Sequence, residues 1–397
     1  MSIPRDRGVR ATGHRDSFRR AVGDVVGVPP DHVTLFWRGR VALYAILRAL
    51  DIGPGDEVVV PAFTCVAVPN AILYTGARPV YADIDEATYT PDPDAVARAV
   101  GGSTRAVVAQ NTFGLSSDLE ALAAAAGRHG AVVIDDSTHG LGGTHRGRPN
   151  GAGAHAAFFS TQWSKPISTG LGGVAVTGDP ALARELRSLE DAAAEPPVVE
   201  QALLRTMVWA RELVEAPRAL ATGRTVYRAL GRLGVVPGSS SSGELDGPLM
   251  PPGFLTRMSP VQAALGADRL ASLREAVLRR RATAERYSTW LASHGCTPAY
   301  QPPCSTHAFL RYPLRVRERD AFLDDARRAR LDLGDWFRSV LHPVSGDLEP
   351  WGYRWGTAPV AERVTAEIVN LPTDLTPGGR QLPAVERLLE SSIDRII

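Results

Sequence analysis

The chain contains a single lysine, Lys165, although 44 of its 397 residues are lysine or arginine. Lys165 lies in the segment FFSTQWSKPISTGLGG, between an apolar run and a group of glycines. Arginine can replace lysine wherever only a positive charge is needed, but a guanidinium does not lose its proton in proteins. The lone lysine therefore indicates an amine that attacks a carbonyl and forms a Schiff base. The alternative is arginine-rich codon usage that left one lysine by chance.

Two neighbouring features suit a cofactor with an aldehyde and a pyridine ring, which is pyridoxal phosphate. Burial beside the apolar run would lower the pKa of the Lys165 amine. Paired carboxylates, Asp135 and Asp136, end another apolar run and could keep the pyridine nitrogen protonated. Aspartates at such a place also serve as helix caps or turn residues, which is the alternative reading of this pair.

The phosphate of such a cofactor needs hydrogen-bond donors. Arg38, Gly39 and Arg40 directly precede the helical pattern of residues 41–50. The free amides and the dipole of a helix N-terminus favour an anion, and arginine binds phosphate well. Ser160, five residues before the lysine, is a second candidate donor, although a serine that ends a strand often bonds only to backbone.

Strands and helices alternate between about residues 40 and 177. The predicted strands are the apolar runs EVVVP, RPVYADI, RAVVAQN, AVVIDD, AAFFS and GVAVT. Short apolar runs separated by helical patterns predict an α/β fold with a mostly parallel sheet flanked by helices. Ligands of such sheets bind at the carboxyl ends of the strands, where Asp136 and Ser160 fall.

The alternation stops after about residue 190. We predict a large cofactor-binding domain with an N-terminal arm (1–190), a helical insertion with a flexible linker (191–247), and a smaller C-terminal α+β domain (248–397). The insertion contains two helical patterns and the linker-like segment VPGSSSSGELDGP. The C-terminal part begins with one long amphipathic helix, from Ser259 to His294, and ends with another helix.

The composition argues against several other classes of protein. A formal charge of +1 and a pI near 7.8 give no indication of a nucleic-acid partner. Three scattered cysteines fit neither a disulfide framework nor a metal site. The first 22 residues contain charges but no apolar region typical of a secretory leader, and no later apolar run approaches membrane-spanning length, so we expect neither secretion nor a membrane span. We therefore expect a cytoplasmic protein with small-molecule ligands.

Taken in order, these segments resemble the DegT/DnrJ/EryC1/StrS family of pyridoxal phosphate-dependent sugar aminotransferases of fold type I. The resemblance extends over nearly the whole chain and rests on the order and spacing of its motifs. These motifs are RGRVALYAILRALDIGPGDEVVVPAFTCVAVPNAILYTGARPVYADIDEATYTPDPDAVARAV, TRAVVAQNTFG, VVIDDSTHGLGGTHRGR, FFSTQWSKPISTGLGG, GFLTRMSPVQAALGADRL, LHPV and EIVNLPTDL.

The resemblance implies a role for each matching residue. Lys165 would form the Schiff base with the cofactor, and Ser160 would bind its phosphate. Asp136 would pair with the pyridine nitrogen, and His139 would lie against the ring or its 3-hydroxyl. It also implies a homodimer with active sites at the subunit interface.

The chain departs from the family pattern at the phosphate. Arg38, Gly39 and Arg40 occupy the start of the first helix, where the family usually has Ser-Gly-Thr, so that Arg40 stands in place of a hydroxyl. Gly39, Arg40 and the next residue, Val41, are the cofactor contacts predicted there. In the segment that reaches the phosphate of the neighbouring subunit, Leu255 replaces the usual asparagine while Arg257 remains.

Other departures concern the ring and the substrate. Cys65 occupies the position of the aromatic residue that usually stacks on the pyridine ring. The segment from about 196 to 247 is longer than expected and could rebuild the substrate entrance. His342 and Trp163 are candidate substrate contacts, although both residues could equally be structural.

These features lead to an expected function. We expect an aminotransferase that takes an amino group from glutamate or glutamine and delivers it to a keto sugar, nucleotide-linked or not, or to a cyclitol, in specialised-metabolite or antibiotic biosynthesis. One alternative keeps the cofactor with a non-sugar substrate or other chemistry, such as a dehydratase or an amino-acid-modifying enzyme. Another is a non-catalytic binding protein on the same scaffold.

Overall fold

The structure is a computed structural model that describes residues 11–214, 242–375 and 378–397. Its helices are α1 (Ala11–Val26), α2 (Gly39–Ala49), α3 (Ala67–Leu73), α4 (Pro93–Ala99), α5 (Leu119–Gly127), α6 (Pro180–Ala192), α7 (Val198–Val214), α8 (Ser242–Asp246), α9 (Pro260–Leu270), α10 (Leu273–Ser293), α11 (Arg319–Arg328), α12 (Pro359–Glu367) and α13 (Gln381–Ser391). Its strands are β1 (Val33–Phe36), β2 (Glu57–Pro61), β3 (Thr64–Cys65), β4 (Arg78–Ala82), β5 (Thr104–Gln110), β6 (Val132–Asp136), β7 (Thr144–His145), β8 (Arg148–Pro149), β9 (Ala156–Ser160), β10 (Gly173–Thr177), β11 (Ser305–Thr306), β12 (Tyr312–Arg315), β13 (Leu341–His342) and β14 (Ile368–Leu371).

Seven strands form the central sheet in the order β1-β10-β9-β6-β5-β2-β4. Neighbours from β9 to β4 are parallel, and β10 is antiparallel to both β9 and β1. The predicted mostly parallel α/β sheet is thereby confirmed, and all six predicted runs are strands. The seventh strand, β1, was not predicted.

Both faces of the sheet are buried. Successive side chains of a strand point to opposite faces. Val58 and Val60 accordingly join the core around α2 and α3, whereas Val59 joins a different core against α4 and α5. This double burial explains why the strands read as continuous apolar runs.

The strand pairings bring several chain segments to one edge of the sheet. β5, β6 and β9 end there, at Gln110, Asp136 and Ser160. β10 begins there, because Gly173 pairs with Ser160, and β1 ends there, because Phe36 pairs with Gly173. The residues predicted from strand ends therefore meet at this carboxyl edge.

A second core lies in the C-terminal part of the chain. It contains Tyr287, Tyr312, Phe322 and Leu389, and the antiparallel pair β12 and β14 runs through it. The terminal helix α13 contributes to this core. By contrast, Met258 and Ala263 pack with Phe18 of α1. The domain boundary near residue 248 stays a prediction.

The single helix expected from Ser259 to His294 is two helices. α9 starts with a capping box between Ser259 and Gln262 and ends at Leu270, and α10 starts at Leu273. The break separates two packing tasks, since α9 lies on α1 while Tyr287 and Leu291 of α10 enter the C-terminal core. Amphipathic spacing continued across the break, so the pattern did not reveal it.

The predicted insertion is described only in part. Its first predicted helix is α7, and its second falls largely outside the described residues. The first six residues of the linker-like segment also lie outside them, whereas Ser242–Asp246 within it form the short helix α8 where a flexible linker was expected. Across the described ranges, no helix is both long and apolar enough to cross a membrane.

Candidate active site

The two adjacent aspartates at the end of β6 point in different directions. Asp135 is fully buried and accepts hydrogen bonds from the side chains of Asn111 (2.7 Å) and Ser137 (2.9 Å) and from the backbone N–H of Gly151 (2.7 Å). Burial raises the pKa of Asp135 to about 7, against the effect of these bonds. Its carboxylate is therefore used within the fold.

Asp136 lies on the other face, with 3% of its surface exposed. It accepts a hydrogen bond of 3.0 Å from the backbone N–H of Thr138. Burial raises the pKa of this carboxyl, and the positive charge of Lys165 acts against the rise. Asp136 is thus the member of the pair that interacts with the lysine.

Lys165 lies in the turn that follows β9. Its backbone N–H donates to the carbonyl of Gln162 (3.0 Å), and its Nζ lies 5.3 Å from the ring centroid of Trp336. Burial lowers the pKa of the amine, while Cys65 and Asp136 oppose this shift. The Lys165 amine therefore loses its proton more readily than that of an exposed lysine.

His139 stacks on two aromatic residues and is within reach of the charge of Lys165. Its ring stacks on Trp336, with centroids 5.0 Å apart, and on Phe337, with centroids 6.0 Å apart. Burial lowers the pKa of His139 well below its usual range, and the charge of Lys165 adds to this effect, so the imidazole is neutral. Its Nδ1 atom is buried and has no hydrogen-bond partner within the described part of the chain.

Trp336 was not predicted as a site residue. Two hydrogen bonds to the side chain of Asn370 hold its backbone: the Trp336 N–H donates to Oδ1 (2.9 Å), and its carbonyl accepts from Nδ2 (2.7 Å). The sequence DWFRSV carries no spacing that would separate this tryptophan from a core residue. Long-range contacts, among them those with Asn370 and His139, place it beside the lysine.

The start of α2 meets the end of β9 closely. A Cβ atom added at Gly39 would lie 2.8 Å from the Cβ of Ser160, and one added at Gly173 would lie 2.1 Å from the carbonyl oxygen of Arg38. Both positions therefore require glycine. No side chain caps the N-terminus of α2. A helix N-terminus beside a serine hydroxyl suits an anionic group.

Val41, predicted as a cofactor contact, is a core residue at the start of α2. Its side chain is buried in the core, and its backbone N–H donates to the carbonyl of Arg38 (3.1 Å) within the first turn of α2. The prediction that Val41 contacts a cofactor therefore has no support in this geometry.

Arg40 forms a buried ion pair with Glu244 of α8. Both side chains are almost completely buried, and Asn70 of α3 also donates to the backbone carbonyl of Glu244 (3.0 Å). This ion pair weakens the expectation that the Arg40 guanidinium binds the phosphate, because the carboxylate of Glu244 already neutralises the guanidinium. No local pattern linked these two residues, which are about two hundred positions apart.

Arg257 and Trp163 also contact residues that the sequence did not connect with them. Nε of Arg257 lies 2.9 Å from a carboxylate oxygen of Glu195. Trp163 packs with a small apolar cluster that contains Trp37 and Leu204 of α7. The structural alternative therefore fits Trp163 better than the substrate contact does.

Cys65 and His342 are neighbours because their short strands, β3 and β13, pair in parallel. Burial lowers the pKa of His342 to about 4, and its ring meets Phe337 edge-on with centroids 5.7 Å apart. The Cys65 thiol interacts with the amine of Lys165. Both predicted residues therefore lie around the lysine, although their contact with any ligand stays a prediction.

Taken together, the site fits pyridoxal phosphate. The unpaired Nδ1 of His139 and the uncapped start of α2 beside Ser160 are features that a polar ring and an anion would complete. No cluster of metal-ligating side chains is found in the ranges that the structure describes. The fold and the site define a lysine-centred α/β enzyme with a carboxylate opposite the amine.

A family model of the DegT/DnrJ/EryC1/StrS aminotransferases matches residues 8–378. The chain belongs to this family, whose members are pyridoxal phosphate enzymes, and it is accordingly an aminotransferase. The family resemblance, the fold class and the enzyme class are thereby confirmed.

Characterised relatives and solved structures agree with this assignment. The chain is 37% identical over 173 residues to a dTDP-4-dehydro-2,3,6-trideoxy-D-glucose 4-aminotransferase of Saccharopolyspora spinosa, covering 44% of this chain and 45% of that protein. It is 28% identical to the GDP-perosamine synthase of Caulobacter vibrioides over 96% of this chain and 87% of that protein. The structure of the aminotransferase TlmJ of Streptoalloteichus hindustanus superposes with a TM-score of 0.73 and 26% identity, covering 98% of this chain and 92% of that one. The first of these matches spans less than half of the relative's length.

Proposed function

We propose that the protein transfers an amino group from glutamate or glutamine to a keto sugar, nucleotide-linked or free, or to a cyclitol, with pyridoxal phosphate held by Lys165. The observation that carries this proposal is the Lys165 amine, whose pKa is lowered by burial and which faces Asp136 and His139. The names of relatives support the substrate class. They include the Saccharopolyspora sugar aminotransferase and an L-glutamine:2-deoxy-scyllo-inosose aminotransferase of Streptomyces kanamyceticus.

Each residue of the site has a task in this proposal. When bound, pyridoxal phosphate supplies a carbonyl that carries the amino group and a ring that accepts electrons. Asp136 would keep the ring nitrogen protonated. The positive charge of that nitrogen would in turn offset the cost of burying the carboxylate. Nδ1 of His139 gains a partner in the polar groups of the ring. Lys165 moves the proton to and from the substrate carbon as the general acid and base.

The amides at the start of α2 and the hydroxyl of Ser160 would hold the phosphate. The buried position of Ser160 and the uncapped end of α2 support this arrangement. Arg40 acts indirectly in the proposal, since it fixes α8 against α2 through Glu244.

The proposal includes a homodimer with shared active sites in the cytoplasm. Three apolar side chains of α7, those of Val198, Val199 and Trp209, are more than half exposed. An exposed apolar stripe of this kind suits a contact with a second copy of the chain. Arg257 would exchange Glu195 for the phosphate bound by the partner.

The visible absorption spectrum tests the proposal. The wild-type protein with pyridoxal phosphate is expected to show a visible band that glutamate removes, with one 2-oxoglutarate released per bound cofactor. Lys165→Ala should lack both the band and the product, and Lys165→Arg should behave in the same way because arginine keeps its proton. Arg105→Met, an exposed position at the other end of β5, is the control. A wild-type protein without the band, or a Lys165→Ala variant that releases 2-oxoglutarate at the wild-type rate, would refute the proposal.

A further inference from the structure

The turn after β9, here called the lysine turn (residues 161–169), is closed at its base by two threonines. The side-chain hydroxyls of Thr161 and Thr169 lie 2.7 Å apart, and the Thr169 N–H donates to the carbonyl of Thr161 (2.7 Å). Beyond this base, the carbonyl oxygens of Pro166 and Ser168 accept hydrogen bonds from arginines of two separate helices. Side chains from outside the turn therefore hold its tip.

Arg280 of α10 makes the contact nearest to the lysine in the chain. Its Nη2 donates to the carbonyl of Pro166 (3.0 Å), the residue that follows Lys165. Arg269 of α9 donates to the carbonyl of Ser168, further along the turn. Proline has a fixed φ angle and restricts the backbone of the residue before it. A bond that holds the Pro166 carbonyl therefore leaves the Lys165 backbone little freedom.

The position of the Arg280 guanidinium is costly. Arg280 is 4% exposed, and its Nε and Nη1 atoms have no hydrogen-bond partner within the described ranges. The carboxylate of Asp374 lies 3.5 Å from Nη2, is half exposed, and is shared with Arg279. An apolar side chain would fill this place at a lower cost. Because water can solvate Asp374, the contact that needs a buried arginine is the one to Pro166.

We propose that Arg280 is a positioning residue that holds the lysine turn and thereby keeps the Lys165 amine within reach of Asp136. This inference rests on the proposed transamination. The amine must meet both the carbonyl of the cofactor and the substrate carbon, and a misplacement of about 1 Å can lower a rate by about 100-fold. In this role Arg280 acts through the Pro166 carbonyl and not on the substrate.

The alternative is that Arg280 serves stability alone, by joining α10 to the sheet. That role predicts a lower free energy of unfolding in Arg280→Met and an unchanged environment of the Lys165 amine. The two roles therefore differ in a property of the lysine itself. Because the chain contains one lysine, this property can be measured without interference from other lysines.

The test compares Arg280→Met and Arg280→Gln with the control Arg279→Met. Arg279 is the adjacent arginine of α10, and its ion pairs are with Glu275 and Asp374. In the full chain without cofactor, lysine labelled with ¹³C at Cε gives one signal, which NMR follows as the pH is raised. In the cofactor-loaded protein, a single turnover at increasing glutamate gives the maximal rate and the dissociation constant separately. Urea unfolding reports that each variant is folded.

The wild-type Lys165 amine should titrate below an exposed lysine, because burial lowers its pKa. In Arg280→Met the midpoint should move up towards that of an exposed lysine, since a loosened turn gives the amine access to water. The maximal rate should fall by about 100-fold, with little change in the dissociation constant of glutamate. Arg279→Met should match the wild type in both measurements.

An unchanged Lys165 titration in folded Arg280→Met would overturn the inference and leave the arginine a structural role. An equal change in Arg279→Met would also overturn it. If Arg280→Met does not fold, Arg280→Gln, which keeps polar N–H groups on a shorter side chain, is judged by the same outcomes. If the wild type does not react with glutamate, the proposed function fails, whereas the titration in the cofactor-free protein still decides the role of Arg280.

Discussion

The two walls of the site are built in different ways. One wall is the carboxyl edge of the sheet. Asp136 and Ser160 end two strands there and Lys165 follows the second, and both strands are hydrogen-bonded to neighbours on each side. The facing wall comes from the C-terminal part of the chain and carries Arg311 and Trp336, which are held by a few hydrogen bonds to distant residues. The difference is one of support, since the first wall is part of a hydrogen-bonded sheet and the second depends on contacts between distant segments.

The largest expected effect separates the two adjacent aspartates of the first wall. Asp136→Asn should slow the reaction with glutamate by about 100- to 1,000-fold, the size typical of removing one electrostatic partner from an active site, with little change in stability. Asp135→Ala should instead lower the free energy of unfolding by about 3 kcal/mol, because three buried donors lose their acceptor. Stopped-flow absorbance and urea unfolding measure the two effects. Equal losses of activity and stability in both variants would show that the pair acts as one unit.

A second prediction concerns the contact that covers the start of α2. Arg40→Met should lower the free energy of unfolding by about 3 kcal/mol, because the buried carboxylate of Glu244 is left without its cation. The double variant Arg40→Met with Glu244→Gln should recover much of this loss. Urea unfolding of the single and double variants measures the coupling. If the cofactor binds more tightly to Glu244→Gln than to the wild type, Glu244 competes with the phosphate for Arg40.

The third prediction concerns the pH dependence of stability that a buried histidine near the second wall contributes. His307 precedes Arg311 by four residues, is buried, and stacks on Phe309. Burial, with the charge of Arg281, lowers the pKa of His307 from 6.5 to about 3 in the folded protein. Between these values the unfolded chain binds more protons than the folded one, so the free energy of unfolding falls as the pH falls from 6.5 towards 3.

At pH 5 this loss amounts to about 2 kcal/mol relative to neutral pH. His307→Asn keeps an acceptor for the backbone N–H of Phe309, which donates to Nδ1 of His307 (2.8 Å), but does not titrate. Urea unfolding at pH 7 and pH 5 should therefore show a smaller difference for the variant than for the wild type. The same pH dependence in both proteins would place the acid-sensitive group elsewhere.

The smallest predicted effect concerns the indole of the second wall. Trp336→Leu should raise the dissociation constant of glutamate by about tenfold, because an exchange of the ring for an aliphatic side chain removes the aromatic face beside the Lys165 amine and the stacking on His139. Trp336→Phe should lose less, since it keeps an aromatic face. Single-turnover titrations measure both variants. A Trp336→Leu variant with wild-type affinity would assign the ring to packing alone.

The sequence by itself determined most of the first wall. Apolar runs that end in polar residues predicted six strands and the edge where Asp136 and Ser160 meet, and the single lysine identified Lys165. These features are local, because a strand end and the alternation of side chains follow from neighbouring residues. The strand β1 and the break between α9 and α10 escaped, since their signals were weaker than the patterns around them.

Only the tertiary structure decided the remaining contacts. Arg40 contacts Glu244, and Trp336 contacts Asn370, although the two members of each pair are distant in the sequence. No spacing in the sequence connects Arg311 with Lys165 either, although both border the ring of Trp336. A buried ion pair or a shared indole depends on where separate elements pack, which the order of residue types does not encode locally. The sequence therefore singled out the Lys165 amine, whereas the packing of the C-terminal part against the sheet decided what surrounds it.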